Sequence, residues 1–308
     1  MTTVPDPDAR TWREVLAETT TALGPVAADA AAAEARWMVL EASGFDAAEL
    51  VVEEDEHAPS LARHRIAAMV ERRRTGEPLQ YVLGSWSFRG LDLMVDARVL
   101  IPRPETEIVA QAAIDELVRS GARRGRTDPW AAGHTEFTVA DLGTGSGAIA
   151  LALAAELPDA AVWATDRSAA ALAVARANLS SIGTAATRVR LGEGDWFAAL
   201  PDALRGALRL VVSNPPYVTA AELAGLAPEV RDHEPVDALV SGPTGFECID
   251  RIVAEAPEWL ESGGALVLEL APHQAADAKA RAVAAGFVHA EVRDDLTGRP
   301  RALVARRG

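Results

Sequence analysis

The chain has 308 residues, 49% of them hydrophobic and 24% charged, the make-up of a globular protein of about two domains and not of a disordered chain. With 30 basic against 45 acidic side chains the net charge is −15, which argues against nucleic acid as a direct partner. The single cysteine, Cys248, excludes an internal disulfide, and with no CxxC pair or Cys/His cluster no metal site is expected and the compartment reads as a reducing cytoplasm.

In chain order, Met1 to Arg10 carries acids and prolines where an export signal needs a basic and then an apolar stretch. From Thr11 to Thr75, alanine-rich helical stretches alternate with breaks at Gly24-Pro25, Ser43-Gly44-Phe45 and Ala58-Pro59, which predicts a small helical bundle. Trp37, Val39 and Leu40, then Leu61, Ile66, Met69 and Val70, recur at helical spacing and are its expected core. After Gly76 the pattern turns to period two with glycine punctuation, in Tyr81-Val82-Leu83-Gly84, Trp86-Ser87-Phe88-Arg89-Gly90 and Leu91-Asp92-Leu93-Met94-Val95, and predicts a β-hairpin linker. The expected division is residues 1–75 as a helical substrate-recognition domain, 76–100 as linker and 101–308 as the catalytic domain. Ser120 to Glu136 reads as a mobile surface loop whose Arg123, Arg124 and Arg126 are simply solvated. From Phe137 strands and helices alternate to the C-terminus, which predicts an α/β fold with a mostly parallel, doubly wound sheet. No apolar run, Ala148 to Ala155 included, approaches the ~20 residues of a membrane span.

The strand Phe137 to Leu142 runs into Asp141-Leu142-Gly143-Thr144-Gly145-Ser146-Gly147 and then a helix. Glycines let backbone approach a ligand closely, and the helix start adds unpaired N–H groups. The spacing is GxGxG, not the GxGxxG of dinucleotide folds, and Asp141 would sit badly beside a pyrophosphate. It suits a cationic amino-acid moiety, which S-adenosylmethionine carries. Asp166 lies 19 residues after Gly147, close to the offset of an acid that binds ribose hydroxyls; a helix cap is the alternative. Asp195 and Trp196, after the third strand, are candidates for the adenine amine and ring.

The strand Leu208 to Ser213 opens into Asn214-Pro215-Pro216-Tyr217, the most specific feature of the chain. Successive prolines hold the backbone extended and donate no N–H, so carbonyls stay free to accept. The Asn214 oxygen and a proline carbonyl make two acceptors for one planar NH₂, and Tyr217 would stack on its plane. An amide nitrogen is a poor nucleophile because its lone pair is conjugated. Gripping both hydrogens pyramidalises the nitrogen and stabilises the charge that develops as it attacks a sulfonium methyl.

These two motifs resemble the class I S-adenosylmethionine-dependent methyltransferases (Rossmann-like, seven-stranded) that modify planar NH₂ groups. Gly76-Glu77-Pro78-Leu79-Gln80-Tyr81, Leu100-Ile101-Pro102-Arg103-Pro104-Glu105-Thr106-Glu107, Glu234-Pro235 and Asp295-Leu296-Thr297-Gly298-Arg299 resemble one branch, the HemK/PrmC family of peptide chain release factor glutamine methyltransferases. The resemblance implies methyl transfer from S-adenosyl-L-methionine to the glutamine side chain of the Gly-Gly-Gln motif in class 1 release factors, by a cytoplasmic enzyme expected to be a monomer. It implies that Asp141, Gly143, Thr144, Gly145, Ser146 and Gly147 cradle the cofactor, that Asp166 takes the ribose, that Asp195 and Trp196 meet the adenine, and that Asn214 to Tyr217 bind the glutamine amide. It also implies that Ile101 to Glu107 wall the site, with Arg103 and Glu105 as an organising pair. In Glu269-Leu270-Ala271 an alanine replaces the family's usual glycine, which questions the backbone path there. The rivals are a glutamine methyltransferase acting on a large-subunit ribosomal protein, an adenine-specific DNA methyltransferase, disfavoured by charge, and an inactive binding module, disfavoured by the intact motifs.

Overall fold

The computed structural model describes residues 9–125 and 137–308; the start of the chain through Asp8, Arg126 and most of the stretch read as a surface loop lie outside the described residues. The chain forms two compact units. One comprises the chain up to Gly84 together with Pro228–His233, the other Ser85–Ala227 together with Glu234–Gly308.

The first unit is helical: α1 (Trp12–Ala27), α2 (Ala31–Ser43), α3 (Ala47–Val52), α4 (Ser60–Arg74) and α5 (Leu79–Leu83). Capping boxes begin α1 (Thr11 with Glu14) and α3 (Asp46 with Glu49), each satisfying backbone N–H groups that the first turn leaves unpaired. Ala62, Ile66, Met69 and Arg73 form the buried stripe of α4, an i, i+4, i+7, i+11 face. Leu61 is one residue off that stripe and 65% exposed, and Trp37, beside the buried Met38, is 43% exposed. Both leave the core predicted for them, whereas Val39, Ile66 and Met69 are buried. Tyr81-Val82-Leu83 lies in α5, not in a strand: Pro78 opens a turn, and Leu79 and Val82 are buried with the bundle core.

The second unit opens on a hairpin, β1 (Ser85–Phe88) with β2 (Leu91–Met94), followed by α6 (Thr106–Arg119). Then come β3 (Phe137–Leu142), α7 (Ala148–Glu156), β4 (Ala160–Asp166), α8 (Ala169–Asn178), β5 (Val189–Glu193) and β6 (Leu208–Ser213). A short parallel pair, β7 (Val218–Thr219) and β8 (Val240–Gly242), brackets the small helices α9 (Ala220–Leu223), α10 (Pro228–His233) and α11 (Val236–Leu239), of which α10 belongs to the first unit. The chain closes with α12 (Glu247–Trp259), β9 (Leu260–Glu269), α13 (Ala275–Ala284), β10 (His289–Asp294) and β11 (Pro300–Arg306).

Seven strands form one sheet in the order β10-β11-β9-β6-β3-β4-β5, parallel except for β11, which is antiparallel to both neighbours. Strand periodicity divides its core in two. Val139, Leu210, Val212 and Val267 meet α6 and α7 on one face, while Ala140, Val211, Leu266 and Leu268 meet α12 and α13 on the other. Both faces being covered, the central strands read as continuous apolar runs. Their C-terminal ends, Leu142, Asp166, Ser213 and Glu269, carry the ligand side of such a fold.

Arg123 and Arg124 are not simply solvated. Asp159 is 2% exposed, and Arg123 accompanies it with its guanidinium at 2.5 Å and its backbone N–H at 2.9 Å, while Arg124 reaches Gln111 at 3.1 Å. A buried carboxylate needs such partners, and Arg123 holds its pKa below the ordinary range.

Candidate active site

A cleft of about 970 Å³ opens over the strand ends of the second unit, lined by Asp141, Gly143 to Ser146, Asp166, Asp195, Trp196, Asn214 and Pro216. Thus residues from four separated stretches of the sequence converge, in the fold's usual ligand position.

The glycine loop is held from both sides. Thr144 N–H donates to the Thr165 carbonyl at 2.8 Å, and Gly145 N–H donates to Asp166 Oδ2 at 2.9 Å. Behind it Asn178, 3% exposed, donates to the Ser146 and Met94 carbonyls and accepts from Met94 N–H at 2.7 Å, so hairpin, loop and α8 share one side chain. Gly143 takes φ +71°, and a Cβ there would stand 3.4 Å from the Trp196 ring. Trp196 is itself at φ +52°, rare for a bulky side chain and of the kind that surrounding structure must hold in place.

Asp141 is 1% exposed. Its Oδ2 accepts from Thr144 Oγ1 at 2.6 Å and Ala150 N–H at 3.1 Å, whereas Oδ1 has no partner among the described residues. Burial pushes its pKa up to about 7, against the pull of those two hydrogen bonds and with the charge of Asp166 adding to the rise. A buried acceptor left unpaired at a cleft wall fits a cationic ligand group. That orphaned oxygen, the glycine loop and the Trp196 ring suit a molecule with an ammonium, a ribose and a purine.

Asp166 is not the cap of α8: Ser168 Oγ accepts from Ala171 N–H at 3.1 Å, and Asp166 Oδ1 takes Ser168 N–H at 2.9 Å. Asp195, expected near an amine, is engaged by Arg251 of α12. Arg103 pairs with the buried Glu234 and not with Glu105, because Glu234 is 4% exposed and takes Ile101 N–H on its other oxygen; burial raises its pKa against the Arg103 charge. The wall from Ile101 to Glu107 is therefore tied to Glu234.

At the end of β6, Ser213 Oγ donates to the Leu142 carbonyl at 2.5 Å, pinning the start of the tetrapeptide to the glycine loop's strand. Asn214 Nδ2 donates to Thr106 Oγ1 at 3.3 Å, Thr106 Oγ1 donates to Glu269 Oε2 at 2.7 Å, and Tyr217 OH donates to Glu269 Oε1 at 3.2 Å. Glu269 is 1% exposed; burial raises its pKa against Thr106, Arg301 and Tyr217, with Glu105 adding to the rise. Burial likewise holds the Tyr217 hydroxyl above its usual pKa. Gln274, 1% exposed, donates to the Tyr217 carbonyl at 3.2 Å and accepts from Ala271 N–H at 3.1 Å. Ala271 sits at φ −71°, ψ 144°, extended backbone that needs no glycine, so the substitution leaves the chain path intact. Gln274 carries no sequence signal of its own; Thr106 lies in the stretch expected to wall the site, and Glu269 is marked as an acid ending an apolar strand.

Comparison with known proteins agrees with this architecture. Residues 14–84 match the family model described as PrmC N-terminal domain, and residues 131–228 the model described as Methyltransferase small domain. A methyltransferase structure from Pyrococcus furiosus shares the fold, with TM-score 0.51 and 19% identity over 77% of this chain and 99% of that one. A release factor glutamine methyltransferase of Burkholderia pseudomallei is 39% identical over 88% of this chain and 90% of its own length. One from Deinococcus radiodurans is 38% identical over 96% and 98%. With such relatives matching nearly the whole chain in sequence, the chain belongs to the release factor glutamine methyltransferase family.

Proposed function

We propose that this protein transfers a methyl group from S-adenosylmethionine to the side-chain amide nitrogen of the Gly-Gly-Gln glutamine in class 1 peptide chain release factors. The observation that carries the reading is the convergence of Asn214 and Pro216 with the unpaired Oδ1 of Asp141 in one cleft. When bound, S-adenosylmethionine supplies an electrophilic methyl on a sulfonium sulfur. Asp141 would hold the ammonium, Gly143 to Gly147 the backbone-facing edge, Asp166 the ribose and Trp196 the adenine. Asp195 would turn to the adenine amine by leaving Arg251.

The Asn214 oxygen and the Pro215 carbonyl would accept the two N–H bonds of the glutamine amide, with Tyr217 against its plane. Those acceptors draw the lone pair out of conjugation and are better matched to the cationic transition state than to the neutral amide. The nitrogen–methyl bond forms as the methyl–sulfur bond breaks, and the surplus proton leaves afterwards to solvent, so no strong base is needed. The helical unit would grip a second patch of the release factor.

The test is transfer of labelled methyl to an intact release factor, its Gly-Gly-Gln glutamine-to-alanine variant, a large-subunit ribosomal protein and duplex DNA. Label on the intact factor alone supports the reading; label on DNA or the ribosomal protein moves the substrate to that rival. Asn214→Ala should lower kcat by roughly 10²-fold or more, the scale of one lost transition-state hydrogen-bond partner, while cofactor affinity changes little.

A further inference from the structure

An asparagine amide can present either its oxygen or its NH₂ to a ligand, and the two orientations have the same shape. Only the oxygen can grip a substrate N–H. Something in the protein must therefore choose, and an answer lies behind Asn214. Thr106 has one hydroxyl proton. It is spent on Glu269 Oε2 at 2.7 Å, and Glu269, 1% exposed, also takes the proton of the Tyr217 hydroxyl on Oε1. The Thr106 oxygen is left as an acceptor only, and Asn214 Nδ2 meets it at 3.3 Å. The opposite orientation would set the Asn214 oxygen against the lone pairs of Thr106.

We propose that Thr106 and Glu269 are positioning residues that set the direction of the Asn214 amide, Glu269 fixing the Thr106 proton and Thr106 thereby turning the Asn214 oxygen toward the substrate. This rests on the assignment of Asn214 as the substrate-amide acceptor. Three residues from distant points of the sequence, on α6, after β6 and at the end of β9, form one directed chain of hydrogen bonds. Direction is the property at stake, more than rigidity. A glutamine at position 269 keeps the shape but adds an N–H donor, which lets the Thr106 proton turn to Asn214 and the amide reverse.

The experiment compares wild type, Thr106→Val, Thr106→Ser and Glu269→Gln in methyl transfer to an intact release factor, with S-adenosylmethionine affinity measured by calorimetry on each. Thr106→Val matches the side chain's shape without its hydroxyl, and Thr106→Ser keeps the hydroxyl. Expected is a fall in kcat of roughly 10- to 100-fold for Thr106→Val and Glu269→Gln, scaled to the loss of one preorganised hydrogen-bond partner. Cofactor affinity should stay within about twofold on the same scale of argument, and Thr106→Ser should recover most of the kcat lost in Thr106→Val. Near-wild-type kcat in Thr106→Val, or equal losses in the Ser and Val variants, would overturn the relay. If Glu269→Gln does not fold, the Ser/Val pair still decides. A wild type that labels no release factor would instead sink the functional reading, which separates the two failures.

Discussion

If Asp141 holds the cofactor's ammonium as proposed, its protonation is coupled to ligand binding. Its pKa in the folded protein, about 7, lies above the ordinary carboxylate value of ~4. The stability tied to its protonated form is therefore complete below about pH 4 and lost as pH rises through about 7. A cationic ligand group prefers the ionised form, so S-adenosylmethionine affinity should rise as pH increases through about 7, up to the point near 8 where an α-amino group loses its own proton. Titration calorimetry in buffers of different ionisation enthalpy should show proton release on binding at pH 6 to 7. Asp141→Asn should bind roughly ten- to a hundredfold more weakly, the worth of one charge-assisted hydrogen bond, with neither the proton release nor the rise. An unchanged pH dependence in that variant would place the titrating group elsewhere.

At the level of elements, strand ends place the chemistry and ion pairs hold the helices. Glu34 of α2 and Arg73 of α4 are 8% and 5% exposed and meet through two hydrogen bonds of 2.8 and 3.2 Å, while Glu229 of α10 joins Arg73 at 2.8 Å. Arg73 thereby ties α10 to the first unit, although α10 lies more than 150 residues further along the sequence. Glu34→Ala should destabilise the protein by about 3 kcal/mol, since it leaves a buried guanidinium with only the partly exposed Glu229 carboxylate and the Glu77 carbonyl. Thermal unfolding checks this, and a loss below ~1 kcal/mol, the range of a surface pair, would show that Glu229 suffices.

For the whole molecule, a charge of −15 makes a simple electrostatic capture of nucleic acid unfavourable and leaves shape and apolar contact to recognise a protein substrate. Val52 and Leu61 of the helical unit are 78% and 65% exposed. If this unit grips the release factor as proposed, Val52→Glu with Leu61→Glu should raise KM for the intact factor several-fold, as expected for lost interface contacts. The same double variant should leave KM for a Gly-Gly-Gln peptide unchanged. Equal KM changes for both substrates would remove that surface from the recognition site.

Much of the molecule was legible in the sequence because the signals are local. Apolar runs bounded by turns mark the strands, glycines mark the loop between β3 and α7, and two prolines after an asparagine mark the end of β6. A helical stripe is also local, yet its phase depends on what packs against it, which is why Trp37 and Leu61 turn outward while Ala62 and Met38 are buried. Tertiary structure alone decided the partners: Arg103 with Glu234, Arg123 with Asp159, and Thr106 with Glu269. The physical reason is that a buried polar group must be satisfied by whatever the fold brings within about 3 Å, and proximity between residues 163 positions apart, as for Thr106 and Glu269, is written in no local pattern.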